Sequence, residues 1–118
     1  MSEGPTFDLT TTEQNGATVV TIDGEVDLTN AEEVQRAVEG ADAAAVVLDL
    51  SRLLYLDSSG IRAIERAFRH LRSEQRSLLI VSPEDTPSGW TFRVAGFDPH
   101  LLFESLDAAL AKVARPAT

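Results

Sequence analysis

The amino-acid sequence predicts an α/β fold. It is read as one domain built on a mixed, mostly parallel β-sheet with an antiparallel N-terminal strand, covered by about four helices. Three observations lead there. Short apolar runs alternate with amphipathic segments of helical period, as in strands joined by crossover helices. An Asn15-Gly16 pair separates two strand-like runs near the start, a hairpin signal that makes the opening pair antiparallel. The chain has 118 residues, 43% of them hydrophobic and 25% charged, which suits a single core that folds without staples. The domain is expected to span residues 1–118, with its core over about 6–114.

The elements follow in order. Residues 6–12, TFDLTTT, alternate weakly and are rich in β-branched threonine; residues 17–23, ATVVTID, form a clearer strand that Gly24 is expected to break. Thr29 and Glu32 are spaced like a capping box. Ala31, Val34, Val38 and Ala41 then recur at helical spacing, which gives a helix over about 30–40. Residues 44–50, AAVVLDL, are short and apolar enough to be a buried strand. After the turn that holds Asp57 to Gly60, Ile61, Ile64, Phe68 and Leu71 form an apolar stripe, with Arg62, Glu65, Arg66, Arg69 and Arg72 on the other faces. Residues 77–82, SLLIVS, read as another buried strand. The proline-rich PEDTPSG that follows reads as a loop, and TFRVA as a short helix ending at Gly96. Leu101–Phe103 is a last short strand. Ser105 caps a final helix on which Leu106, Ala109, Leu110 and Val113 share a face, Pro116 ends it, and the last residues are expected to fray.

Composition narrows the function classes. The formal charge of −9 disfavours direct contact with nucleic acid or anionic lipid. Arg62, Arg66, Arg69, Arg72 and Arg76 concentrate the positive charge in one stretch, which reads as a solvated helix face rather than a docking patch. There is no cysteine, hence no disulfide framework or thiolate metal site, in keeping with a reducing cytoplasm. The stretch MSEGPTFDLT lacks the basic and apolar regions of a signal peptide, and no segment approaches the apolar length of a membrane span.

The sequence offers no catalytic set, and the chain is expected not to be an enzyme. A nucleophilic serine needs a base within reach, and nothing places His70 or His100 near Ser58. The G-x-S-x-G elbow is absent. Two distant histidines without cysteine make no metal-ligand pattern, and Gly60 stands alone after its strand, so no nucleotide loop is formed. No cofactor is expected. The unusual feature is the turn itself, where Ser58 and Ser59 stand together at the start of a helix. One reading is plain capping by Asp57 or a serine, worth about 1 kcal/mol. The other is covalent modification. A serine there is accessible, Gly60 leaves room for a phosphate or a partner's backbone, and phosphorylation adds about −1.5 to −2 charges beside Asp57. Both readings remain open on spacing alone.

Leu56-Asp57-Ser58-Ser59-Gly60-Ile61, after the strand Val46–Leu50 and the segment Ser51-Arg52-Leu53, resembles the signature of STAS-domain anti-sigma factor antagonists. Gly24-Glu25-Val26-Asp27 is similar to a second element of that family, and the resemblance runs from about Thr18 to Val113. It implies a partner switch. The unphosphorylated protein would bind an anti-sigma factor that is also an ATP-binding serine kinase of the histidine-kinase-like ATPase fold, and so free a sigma factor. Phosphorylation of Ser58 would end binding, and a metal-dependent serine phosphatase would restore it. The implied partner surface comprises Asp27, Asp57, Ser58, Ser59, Gly60 and Arg62, with ATP and magnesium belonging to the kinase. A monomer or weak dimer in the cytoplasm is expected, with no nucleic acid or membrane partner.

Two departures from the family pattern stand out. Arg62 replaces a residue that is often small, and pairs with a phosphate, selects a partner, or simply faces solvent. The loop Pro83–Trp90 stands where a regular helix usually begins, and Trp90 reads as a core residue. The competing function is a STAS module that does not switch, as a subunit of a lipid transporter or a scaffold in a signalling assembly. Such modules often lack the serine. A response-regulator receiver would need an early acidic pair and a late lysine close in space, but this chain opens on a hairpin and has Lys112 near the end of its last helix.

Overall fold

In the computed structural model, residues 6–114 are described, and they form one five-stranded sheet in the order β1-β2-β3-β4-β5. Strands β1 (Phe7–Gln14) and β2 (Ala17–Val26) are the antiparallel hairpin. Asn15 and Gly16 take φ of 51° and 83°, the left-handed pair that a two-residue hairpin turn requires. Helix α1 (Ala31–Glu39) leads to β3 (Ala45–Leu56), and α2 (Ser58–Ser73) to β4 (Ser77–Val81). Helix α3 (Pro87–Val94) and a single 3-10 turn (Pro99–Leu101) precede β5 (Leu102–Phe103) and α4 (Leu106–Ala114). Strands β2 to β5 pair in parallel. The assigned ends of the chain, including Pro116 and the expected fraying beyond it, lie outside the described residues.

The sheet separates two apolar clusters. On one face, Val20, Ile22, Val46, Leu48 and Leu50 meet Val34 and Val38 of α1, Ile64 and Leu71 of α2, and Phe92 of α3. On the other, Val19, Val47, Leu79 and Val81 meet Ala109 and Leu110 of α4. Leu106 and Val113 pack at the edge of that second cluster, and Ser105 Oγ accepts the Ala108 N–H at 3.1 Å, so the last helix is built and capped as its sequence predicts.

The structure corrects several readings. Gly24 does not end its strand: it sits inside β2 at φ 109°, and an added Cβ there would meet the Thr6 backbone. Strand β3 is longer than 44–50 and runs to Leu56. Its pairing with β2 slips twice, between Thr21 and Asp23 and again between Gly24 and Glu25, and each slip adds a residue to β3. Leu50, Leu53 and Leu56 therefore all turn inward although they are three apart, a spacing that looks helical.

The loop assigned to residues 83–89 holds the start of α3. Thr86 is the N-cap, its hydroxyl accepting the Gly89 N–H at 3.3 Å, and Pro87 fills the first helical position, where its missing N–H costs nothing. The helix then closes as predicted around Gly96, at φ 83°: Phe97 N–H donates to Phe92 O and Gly96 N–H to Arg93 O. The Phe92 and Phe97 rings meet edge to face at 4.8 Å. Finally, Trp90 is not in the core; it is 66% exposed, whereas Phe92 on the same helix is fully buried.

Candidate functional site

The candidate site lies where β2 and β3 end side by side. The Asp57 N–H donates to Val26 O at 3.2 Å, which brings the turn after β3 against the turn after β2. In the first of these turns Asp57 is the N-cap of α2, its Oδ1 accepting the Gly60 N–H at 3.1 Å. That settles which residue caps the helix. Ser58 and Ser59 occupy the first two helical positions; Ser58 is exposed and Ser59 half-buried. Among the described residues, the Ser58 hydroxyl has one polar neighbour, Arg62 Nη2, at 3.4 Å. It performs no capping and holds no other element in place.

Gly60 is placed differently from the sequence reading. It is buried and points into the core, not toward a partner. An added Cβ would stand 2.9 Å from Val26 Cγ1 and closer still to Leu56 Cδ1. The missing side chain lets α2 begin tight against the sheet, and the room it leaves is already filled. The buried face of α2 is accordingly made of small residues, Gly60, Ala63 and Ala67, together with Ile64 and Leu71, while Ile61 and Phe68 flank it.

The turn after β2 is organised by Asp27 and Asn30. Asp27 Oδ1 accepts the Thr29 N–H at 2.9 Å and the Thr29 hydroxyl at 2.6 Å. These bonds, the hydroxyl's first, hold the Asp27 carboxyl below the usual carboxylate range. Thr29 is thus tied to Asp27 and does not cap α1; the expected capping box with Glu32 is not formed, and Glu32 pairs with Arg36 at 3.3 Å. Asn30, which sequence reasoning passed over, occupies the N-cap position with no capping bond from its side chain. Its Oδ1 accepts the Asp27 N–H and its Nδ2 donates to Glu25 O, both at 3.0 Å. An asparagine between a threonine and a helix was the available signal.

Exposed apolar side chains border the two turns. Leu28, beside Asp27, is 79% exposed, and Tyr55, two residues before Asp57, is 50% exposed. Leu54, Trp90 and Val94 are also exposed. His70 lies about 18 Å along the helix from Ser58 at 1.5 Å per residue, and it pairs with Glu74. His100 pairs with Asp98 and lines a groove of about 800 Å³ with Asn15, Ala44, Ser77 and Lys112, at the start of β3 and β4 and so at the opposite end of the sheet. Among the described residues, no cluster of three or more His, Cys, Asp or Glu side chains could hold a metal ion, and no helix is long and apolar enough to cross a membrane. The arginine-rich stretch divides: Arg66 donates to Gln35 of α1, Arg69 meets Glu65, and Arg76 binds the carbonyl oxygens of Ala41 and Ala43 while pairing with Glu74.

The STAS domain family model matches residues 8–109. Among solved structures, an anti-sigma factor antagonist from Mycobacterium paratuberculosis superposes with a TM-score of 0.82 at 23% identity, over 93% of this chain and 96% of that one. The anti-sigma factor antagonist SpoIIAA is similar in its unphosphorylated form, with a TM-score of 0.74 at 19% identity over 96% and 100% of the two chains. In its phosphorylated form SpoIIAA, a Bacillus cell fate determinant, has a TM-score of 0.69 at 20% identity over 92% and 99%. A sulfate transporter family protein from Wolinella succinogenes has a TM-score of 0.68 at 18% identity, over 82% and 84%. No curated protein matches in sequence.

Proposed function

Because this chain belongs to the STAS domain family, we propose that it is an anti-sigma factor antagonist switched by phosphorylation of Ser58. In this reading the unphosphorylated domain binds a kinase-type anti-sigma factor through the paired turns and frees the sigma factor. The observation that carries it is the division of labour at the start of α2. Asp57 does the capping, which leaves Ser58 exposed and without structural duty.

The chemistry follows from that exposure. The kinase's ATP presents its γ-phosphorus to Ser58 Oγ. A new O–P bond forms as the bond to the ADP oxygen breaks, and the hydroxyl proton leaves to a base of the kinase. This chain contributes acceptor and position; it catalyses nothing and needs no cofactor of its own. The helix N-terminus tolerates the added charge, so the fold survives. A partner surface packed over Leu28 and Tyr55 does not, because it would have to desolvate a dianion beside Asp57 and Asp27. A serine phosphatase that restores the hydroxyl restores binding.

The second reading is a non-switching STAS module of a transporter or signalling assembly, favoured by the likeness to the sulfate transporter family protein. One experiment separates the two. The protein is incubated with a candidate anti-sigma kinase and ATP, the phosphate is mapped by mass spectrometry, and binding is measured. Ser58→Ala should abolish labelling and keep binding, and Ser58→Asp should weaken binding. Labelling elsewhere, or binding indifferent to Ser58→Asp, would refute the switch; stable capture by a transporter would support the second reading.

A further inference from the structure

Ser58 and Arg62 are four residues apart, on neighbouring turns of one helix face. At 3.4 Å the Arg62 guanidinium is far for a bond to the hydroxyl itself, yet close for acceptors attached to that oxygen. Arg62 is exposed and, among the described residues, has no ion pair, in a chain of net charge −9. Its neighbours on the helix are engaged: Arg66 with Gln35 and Arg69 with Glu65. So are three carboxylates of the two turns and the helix. Asp57 holds the Gly60 N–H, Asp27 on the β2–α1 turn holds Thr29, and Glu65 holds Arg69. Among the described residues, no hydrogen bond joins Arg62 to the half-buried Ser59.

We infer that Arg62 is a phosphate-holding residue: when Ser58 carries phosphate, the guanidinium closes over it as a fork and shields it from removal. This rests on Ser58 being the modified serine and adds a regulatory consequence to it. A planar guanidinium offers two parallel donors to two phosphate oxygens, and the resulting charge-assisted pair is stronger and more directional than a contact with the neutral hydroxyl. The pair forms inside one helix, so no other element has to move. A phosphatase must first release the fork before its own groups can reach the phosphorus. Arg62 thereby lengthens the life of the phosphorylated state and leaves the stability of the unmodified fold unaffected.

The test uses protein with phosphoserine installed at position 58 during translation, so that no kinase is required, in native, Arg62→Gln and Arg62→Lys forms. Phosphorus NMR follows the second ionisation of the phosphate, ordinarily near pH 6. The native protein should titrate about half a pH unit or more below Arg62→Gln, with Arg62→Lys between them because it supplies charge without the fork. A metal-dependent serine phosphatase should dephosphorylate Arg62→Gln several-fold faster than native. The unphosphorylated forms should melt together. Identical titrations in native and Arg62→Gln would overturn the inference, and a shifted titration with equal rates of removal would overturn the shielding. Either result leaves the binding assays of Ser58→Asp untouched. Failure of every kinase to label Ser58 would instead remove the proposed switch, while the NMR comparison would still report on the pair.

Discussion

Replacing Gly60 with alanine should destabilise this domain, although alanine is the better helix former. The helical gain is at most about 1 kcal/mol and smaller in a first turn. Against it stands the new methyl, which would overlap Leu56 Cδ1 and lie 2.9 Å from Val26 Cγ1, between side chains that are only 8% and 1% exposed. Overpacking of this kind costs about 1–3 kcal/mol, so the net loss should be about 1–2 kcal/mol, or roughly 4–8 °C in Tm. Urea denaturation reads it as a lower midpoint at unchanged slope. A double-mutant cycle identifies the cause. Leu56→Ala alone should cost about 2–4 kcal/mol. In Gly60→Ala/Leu56→Ala the added methyl enters the vacated space, and the combined loss should fall short of the sum by about 1 kcal/mol. Additive losses, or a Gly60→Ala protein as stable as native, would refute the inward placement of Gly60.

Other expectations follow from the same geometry. Asp57→Ala should cost about 1 kcal/mol by losing the α2 cap, and Asp57→Asn much less, both read by urea midpoints. The Asp27 carboxyl, followed by NMR, should titrate below the ordinary carboxylate range, and Thr29→Val should bring it back up, since the Thr29 hydroxyl is the largest cause of the depression. The sign follows: a carboxyl lowered by folding adds stability above its unfolded pKa, and that stability is lost as the pH falls through the folded value. Acid should therefore cost native protein more stability than Thr29→Val over that window. Trp90→Ala should change stability by no more than about 0.5 kcal/mol, whereas Phe92→Ala on the same helix should cost about 3–5 kcal/mol; equal effects would overturn the orientation of α3.

The sequence made the hairpin, the helix–strand alternation and the serine turn legible because each has a local cause. Asn15-Gly16 carries its turn in its own backbone preferences, and Ser105 its cap. Much of what stayed hidden depends on which partner a residue takes in the fold. Residues 51–56 lose strand alternation because β3 bulges twice against β2, so Leu53 and Leu56 fall on a helical spacing. Thr29 looks like a cap until Asp27 is seen to hold both its donors. Gly60 looks like open space because only the folded sheet brings Leu56, at the end of β3, and Val26, from the neighbouring strand, against it. The start of α3 has a local signal too: Thr86-Pro87 is a cap followed by a proline at its favoured helical position, although proline elsewhere breaks helices.

Since Asp57 caps α2 by holding the Gly60 N–H, Ser58 is free of capping duty. If the proposed switch operates, a mark could be written on its oxygen and erased again while the Asp57–Gly60 cap stays made, so no refolding delay would separate the chemical event from its reading. Under the proposed switch, the lifetime of such a token would be set jointly by the enzymes that write and erase it and by the grip of Arg62.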